Sequence, residues 1–270
     1  MTPVEIISGD GPVILGMPHT GTHVPHDILD ALNDTGRALT DTDWHIDRLY
    51  DGLLPGVSVV RATFHRYVID ANRDPSGATL YPGQNTTGLC PTTDFDGRPL
   101  YQPGREPDDA EIAHRRELFH APYHAALTAE ITRIRAAHGV AVLYDCHSIR
   151  SRVPFLFEGV LPDFNIGTDN GATCDGAIET AVAETCANAP GYTAIVNGRF
   201  RGGWTTRHYG DPARGVHAIQ MELAQITHLA SESAPFAYSP AKADGLRLHL
   251  AEILRRLDDW ARRQSLNFSP

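Results

Sequence analysis

The chain has 270 residues, with 23 Lys and Arg against 33 Asp and Glu and a formal net charge of −10. Its 41% hydrophobic and 21% charged residues are ordinary globular values, which exclude a disordered or fibrous protein and leave room for one sizeable core. The acidic balance argues against nucleic acid or an anionic membrane as the main partner, and no apolar run approaches the roughly 18–20 residues that would span a bilayer.

Taken in chain order, the opening Met1-Thr2-Pro3-Val4-Glu5 lacks a basic segment followed by an apolar stretch, so a cytoplasmic protein is expected. Val13-Ile14-Leu15-Gly16-Met17, ended by Pro18, has the pattern of a buried strand. A short helix is predicted over 42–53, started by the cap-like Thr40-Asp41. Residues 57–61 and 67–70 read as two further strands. From Asp74 to Pro107 the chain is rich in Gly, Pro, Thr and Asp. An irregular stretch of that length is usually functional, and 75–107 is expected to form a lid or a substrate wall. A long helix is predicted over 109–137, where Ile112, Leu118, Leu127, Ile131 and Ile134 stand among charges and Gly139 supplies a stop.

Val140-Ala141-Val142-Leu143-Tyr144 is the clearest strand, and 153–157 and 194–197 are weaker ones. Between them, 174–188 reads as helical. Residues 217–223 alternate, with Ile219, Met221 and Leu223 on one face and Ala218, Gln220 and Glu222 on the other. The last helix, over 240–263, carries a stripe of Leu246, Leu250, Ile253 and Leu257. Strands alternating with helices predict an α/β protein: a single-domain three-layer sandwich with a central mixed β-sheet, spanning 1–270.

The four cysteines, Cys90, Cys146, Cys174 and Cys186, contain no C-x-x-C pair, so they form neither a zinc knuckle nor a disulfide framework. Chemistry is sought instead at the carboxyl ends of strands, where ligands gather in open α/β sheets. Pro18-His19-Thr20-Gly21, Asp70-Ala71-Asn72-Arg73-Asp74 and Asp145-Cys146-His147-Ser148 each follow a predicted strand, and Glu222 lies near the end of another.

This set suits a catalytic zinc ion, which takes three His or carboxylate ligands and leaves a fourth position for water. His19 and His147 come from separate strand ends, and a carboxylate from the predicted helix, Asp43 or Asp47, completes the shell, the two sharing a helical face. The metal lowers the pKa of its water and polarises a scissile carbonyl. Glu222, on the polar side of its strand, is the candidate general base. Asp145 is placed to hold a ligand imidazole in one tautomer. Arg73, Arg199, Arg201 and Arg207 offer bidentate donors on an acidic protein, which points to a small anionic substrate.

These motifs together resemble the N-formylglutamate amidohydrolases of histidine degradation. The resemblance is carried by Met17-Pro18-His19-Thr20-Gly21, Asp41-Thr42-Asp43-Trp44-His45, Val68-Ile69-Asp70-Ala71-Asn72-Arg73, Asp145-Cys146-His147-Ser148-Ile149-Arg150, Leu161-Pro162-Asp163-Phe164-Asn165, Asn197-Gly198-Arg199-Phe200, Arg207-His208-Tyr209-Gly210 and Met221-Glu222-Leu223-Ala224-Gln225. It implies a fold similar to that of zinc carboxypeptidases and hydrolysis of N-formyl-L-glutamate to formate and L-glutamate. It makes His19, His147 and Asp43 the expected zinc ligands, with another divalent metal as the alternative ion. In the peptidase pattern the second ligand is a Glu close behind the first His; here positions 22 and 23 are Thr and His, so His23 and Asp47 are the alternatives to Asp43. Asn72 and Arg73 resemble the peptidases' carboxylate-binding pair, and Glu222 their base. One of Arg150, Arg201 or Arg207 is expected to take the substrate's side-chain carboxylate. The rival readings are a zinc-dependent hydrolase of another N-acyl amino acid or small peptide, and a metal-binding sensor or carrier, which would need no Glu222.

Overall fold

The computed structural model describes residues 2–79, 83 and 85–266. In chain order the strands are β1 Val4–Ile7, β2 Val13–Met17, β3 Ser58–Ala62, β4 Ala141–Ile149, β5 Phe164–Gly167, β6 Ala194–Val196 and β7 Val216–Ala224. The α-helices are α1 His26–Ala31, α2 Asp34–Arg37, α3 Ile46–Tyr50, α4 Asp109–Arg115, α5 Ala121–His138, α6 Gly176–Ala187, α7 Trp204–Tyr209 and α8 Pro240–Ser265. All seven strands join one mixed sheet in the order β1-β3-β2-β4-β7-β5-β6. β3, β2, β4 and β7 run parallel, with β1 antiparallel at one edge and the parallel pair β5–β6, antiparallel to β7, at the other. The expected α/β sandwich is therefore the observed one.

The layers follow from side-chain alternation. Tyr144, Cys146, Ile219, Met221 and Leu223 point to one face, where the buried stripe of α8, with Leu246, Leu250, Ile253 and Leu257, covers them together with α6 and α3. Ala141, Leu143 and Ala218 point to the other, against Tyr123, Leu127, Ile131 and Ile134 of α5. Helix 109–138 is started by Asp108, whose side chain accepts the Glu111 N–H, and stopped by Gly139 at φ 75°. Between Arg115 and Ala121 it widens into a π turn.

Two predicted strands do not form. Residues 67–70 lie in a buried turn: Val68 N–H donates to His65 O and Asp70 N–H to Leu89 O, so no neighbouring strand pairs with them. Residues 153–157 also turn, Leu156 and Phe157 both donating to Val153 O. In both places apolar residues gather because the segment is buried, which a strand and a packed turn have in common. Two short strands carry too little pattern to be read: β1 is an exposed edge, and β5 has only four residues.

β4 runs on to Ile149, so Asp145 and His147 lie within the strand rather than after it. Helix α3 begins at Ile46, because His45 adopts a left-handed φ of 61° and interrupts the chain between Asp43 and the helix. Asp43 and Asp47 therefore share no helical face, and Thr40-Asp41 caps no helix.

Below this region sits His228, buried, with Nε2 3.0 Å from Trp44 O. Burial pushes its pKa from 6.5 down to about 4. Below pH 6.5 the unfolded chain then takes up this proton before the folded one does. Stability should fall as pH drops from about 6.5 to 4, by about 3 kcal/mol over the whole interval for this one group. Urea unfolding across that range would show a shallower pH dependence in H228Q; an unchanged slope would remove His228 from the account.

Candidate active site

The carboxyl ends of β2, β4 and β7 adjoin in parallel register, Gly16 beside Asp145 and His147 beside Glu222. His19 leaves β2 two residues past its end, and Asp43 is fixed beside it by Asp43 N–H donating to His19 O at 3.0 Å. The Asp43 carboxylate reaches β4, where Oδ2 accepts the Ser148 N–H at 3.0 Å.

These contacts bring three side chains together. His19 Nδ1 lies 3.2 Å from His147 Nδ1, and Asp43 Oδ2 lies 3.7 Å from the first and 3.4 Å from the second. All three residues are buried. Tetrahedral zinc with bonds of about 2.0–2.1 Å needs ligand atoms about 3.3 Å apart, so the three donors fit one face of such a shell. The outer nitrogens are also engaged: His19 Nε2 is 2.7 Å from Asp70 Oδ1, and His147 Nε2 is 3.1 Å from Asp145 Oδ2. With a metal on Nδ1, the carboxylate behind each imidazole would accept the Nε2 proton and hold the ring in that orientation. The residues present therefore fit a divalent ion, with Asp43 as the third donor. Asp47 instead pairs with Arg61 on the outside of α3, and His23 is held by backbone bonds to Thr63 and His65, outside the cavity lining.

The electrostatics point the same way. Burial would raise the Asp43 carboxyl, but hydrogen bonds to His147 and His19 outweigh it and hold the group below the usual carboxylate range. Burial would lower His147, yet Asp145 and Asp43 hold it well above its ordinary value. Burial pushes Glu222 from 4.5 up to about 8, with Asp43 and Asp145 adding to the effect against His147 and Arg66. Four buried carboxylates, Asp43, Asp70, Asp145 and Glu222, thus converge on a region that demands positive charge.

The triad opens into a cavity of about 280 Å³, lined also by Arg66, Asn72, Arg73, Arg199, Gln220 and Glu222. Residues 74, 77–79, 85–89 and 95 form part of its wall; residues 80–82 and 84 lie outside the described residues. Arg73 Nε and Nη2 donate to Thr87 O and Oγ1 at 2.9 and 3.0 Å. Gln220 Nε2 donates to Glu222 Oε2 at 3.2 Å and Gln220 Oε1 accepts the Gly203 N–H at 2.6 Å, which orients the glutamate. A Cβ on Gly203 would fall 2.3 Å from Asn72 Nδ2, so the glycine is needed for that close approach.

The three arginines expected to take a side-chain carboxylate lie outside the cavity lining. Arg150 pairs with Asp96 at 3.0 Å, Arg207 pairs with Asp169 at 3.0 Å, and Arg201 donates to Gly198 O. Arg199 lines it instead, donating to Leu156 O and Asn85 O. Sequence reasoning gives no sign of Arg66, which is buried with Nη2 2.5 Å from His19 Nδ1, 2.7 Å from His19 Nε2 and 3.5 Å from Asp70 Oδ2, its guanidinium standing where the cation would bind. Nothing in the His65-Arg66-Tyr67 run marks it, since a buried turn has no period to interrupt. Asp70 had a visible signal, its place in a polar group, but not its role behind His19.

A mixed-sheet α/β fold with a buried His/Asp/His group and an arginine-lined cavity defines a hydrolase-type site for an anionic substrate. The N-formylglutamate amidohydrolase family model matches residues 11–229. The chain belongs to the N-formylglutamate amidohydrolase family. It is 47% identical over 262 residues to an N-formylglutamate deformylase of Pseudomonas aeruginosa, covering 96% of this chain and 98% of that one. It is 46% identical to one of Pseudomonas putida, over 92% and 93% of the two chains. A solved N-formylglutamate amidohydrolase from Ralstonia eutropha superposes with a TM-score of 0.80 at 26% identity, over 97% of this chain and 99% of that one.

Proposed function

We propose that the chain, acting as a single catalytic domain over 1–270, hydrolyses the formamide bond of N-formyl-L-glutamate to formate and L-glutamate; its Pseudomonas relatives are named N-formylglutamate deformylases. The observation that carries the reading is the union, in one cavity, of the His19–Asp43–His147 group, Glu222 and arginines able to receive two carboxylates.

His19, Asp43 and His147 would hold a divalent ion, zinc by ligand type. When bound, that ion supplies Lewis acidity and lowers the pKa of water at the site. The other roles belong to the protein's own side chains. Arg73, positioned with Asn72, receives the α-carboxylate, and Arg199, which lines the same cavity, receives the side-chain carboxylate. Glu222, ionised once a bound cation offsets Asp43 and Asp145, takes a proton from the attacking water and returns it to the leaving amine. Arg66, buried beside His19, meets the negative charge that develops on the formyl oxygen. The four cysteines are buried and unbridged, which agrees with a reducing, cytoplasmic setting, and no helix among the described residues is long and apolar enough to cross a membrane.

Formate release from the purified, zinc-loaded protein tests this. N-formyl-L-glutamate should be turned over at least about a hundredfold better than N-acetyl-L-glutamate or N-formimino-L-glutamate by kcat/KM, a gap of about 3 kcal/mol. Equal rates on the acetyl compound would move the reading to a general N-acyl amino acid hydrolase. In the same assay R199A should raise KM about tenfold or more, whereas R201A should leave it unchanged; the reverse pattern would exchange their roles.

A further inference from the structure

Two buried histidines outside the metal-binding group face one stretch of chain. His120 and His124 stand four residues apart on the same side of the long helix, with ring centroids 4.3 Å apart. His124 Nε2 lies 2.8 Å from the Ala71 carbonyl oxygen, and His120 Nε2 lies 3.0 Å from that of Arg73. These two carbonyls bracket Asn72. A carbonyl oxygen only accepts, so each ring carries its proton on Nε2. Burial keeps both neutral, lowering His120 and pushing His124 from 6.5 down to about 3. The Tyr209 hydroxyl, 3.0 Å from His124 Nδ1, is placed to donate to the unprotonated side.

The stretch depends on such donors because it forms no sheet ladder. Arg115 Nη1 donates to Val68 O at 3.1 Å, so the same helix supplies a side-chain donor to residues 68, 71 and 73 in turn. The π turn Arg116–His120 follows the first of these donors and ends on the second, His120. Turns of that kind add a residue to the helix and recur at functional sites, and this one sets the histidines' angle relative to Arg115. From the other side the Thr205 N–H donates to Asn72 Oδ1 at 2.8 Å, and the Trp204 ring packs 4.7 Å from that of His124 and 5.6 Å from that of His120.

We propose that His120 and His124 are positioning residues whose Nε2–H groups clamp the carbonyls on either side of Asn72 and so hold Asn72 and Arg73 in the orientation that receives the substrate's carboxylate. This rests on the reading of that pair as the carboxylate cradle. Neither histidine touches the reacting atoms; the clamp acts through Asn72, whose Nδ2 also lies 3.2 Å from His147 Nε2, and Arg73, and its loss falls mainly on binding.

The test replaces each histidine singly with Phe, which keeps an aromatic ring and loses the donor; with Asn, which holds a donor short of the carbonyl; and with Gln, which presents an N–H at a reach close to that of Nε2. Steady-state formate release from N-formyl-L-glutamate is measured for each variant, beside its thermal transition. The Phe and Asn variants should raise KM about tenfold, the loss expected for one buried hydrogen bond, with kcat within about threefold of wild type. The Gln variants should recover KM to within about threefold. Where a Phe variant lacks a cooperative transition, the Asn and Gln pair at that position carries the comparison. Wild-type KM in the Phe and Asn variants, Gln variants as impaired as Phe, or a loss confined to kcat would each overturn the clamp. A wild-type protein that releases no formate would instead overturn the functional reading, so the two failures are told apart before any variant is compared.

Discussion

Glu222→Gln is expected to lower kcat by about 10²–10⁴-fold while the protein still binds one equivalent of zinc. The residue lies in β7 beside His147 and lines the same cavity as the His19–Asp43–His147 group, but it is not one of the three converging donors. An amide fills the same volume and cannot accept the water's proton, so the loss should fall on the chemical step. The fold should tolerate the change, because it removes a carboxylate that burial and the neighbouring Asp43 and Asp145 already disfavour as an anion. Single-turnover formate release combined with metal analysis checks this. Undiminished turnover with full metal content would take Glu222 out of the mechanism, and metal loss would recast it as a ligand.

The second large effect concerns the metal. H19A and H147A should each lose stoichiometric zinc on dialysis and fall to background activity, since either leaves only two of the three converging donors. D70N should retain the site but bind zinc about 10–100-fold more weakly, because the carboxylate 2.7 Å behind His19 Nε2 fixes which nitrogen carries the proton. D47A, which removes only the ion pair with Arg61 outside the cavity, should bind zinc as the wild type does. Competition titration against a chromogenic chelator reads all four. Full zinc content in both alanine variants would leave the proposed centre without its ligands, and a loss in D47A would reinstate the carboxylate that the structure puts outside.

Period and punctuation made some of this molecule readable directly. β2 was found with its observed bounds because a run of apolar residues stops at Pro18, and α8 because its leucines recur at helical spacing. The polar Asp145-Cys146-His147-Ser148 run resembles the turn after a strand, but it continues β4, with Asp145 and His147 on the face opposite buried Tyr144 and Cys146. Residues 67–70 erred the other way, since burial selects apolar residues in a turn as it does in a strand.

The candidate site divides along the same line. The sequence alone determined which residue types were available at the strand ends: two histidines, an aspartate near residue 43 and a glutamate on an alternating strand. Their chemistry and local spacing follow from bonded geometry and side-chain periodicity. Only the tertiary structure brought Asp43 rather than Asp47 beside His19 and His147, with a left-handed residue at His45 between them, and only it placed Arg199 rather than Arg150, Arg201 or Arg207 at the cavity. It alone brought the buried Arg66 against His19. An arginine's long side chain can end several ångströms from where its Cα begins, so its partner is fixed by how distant segments pack.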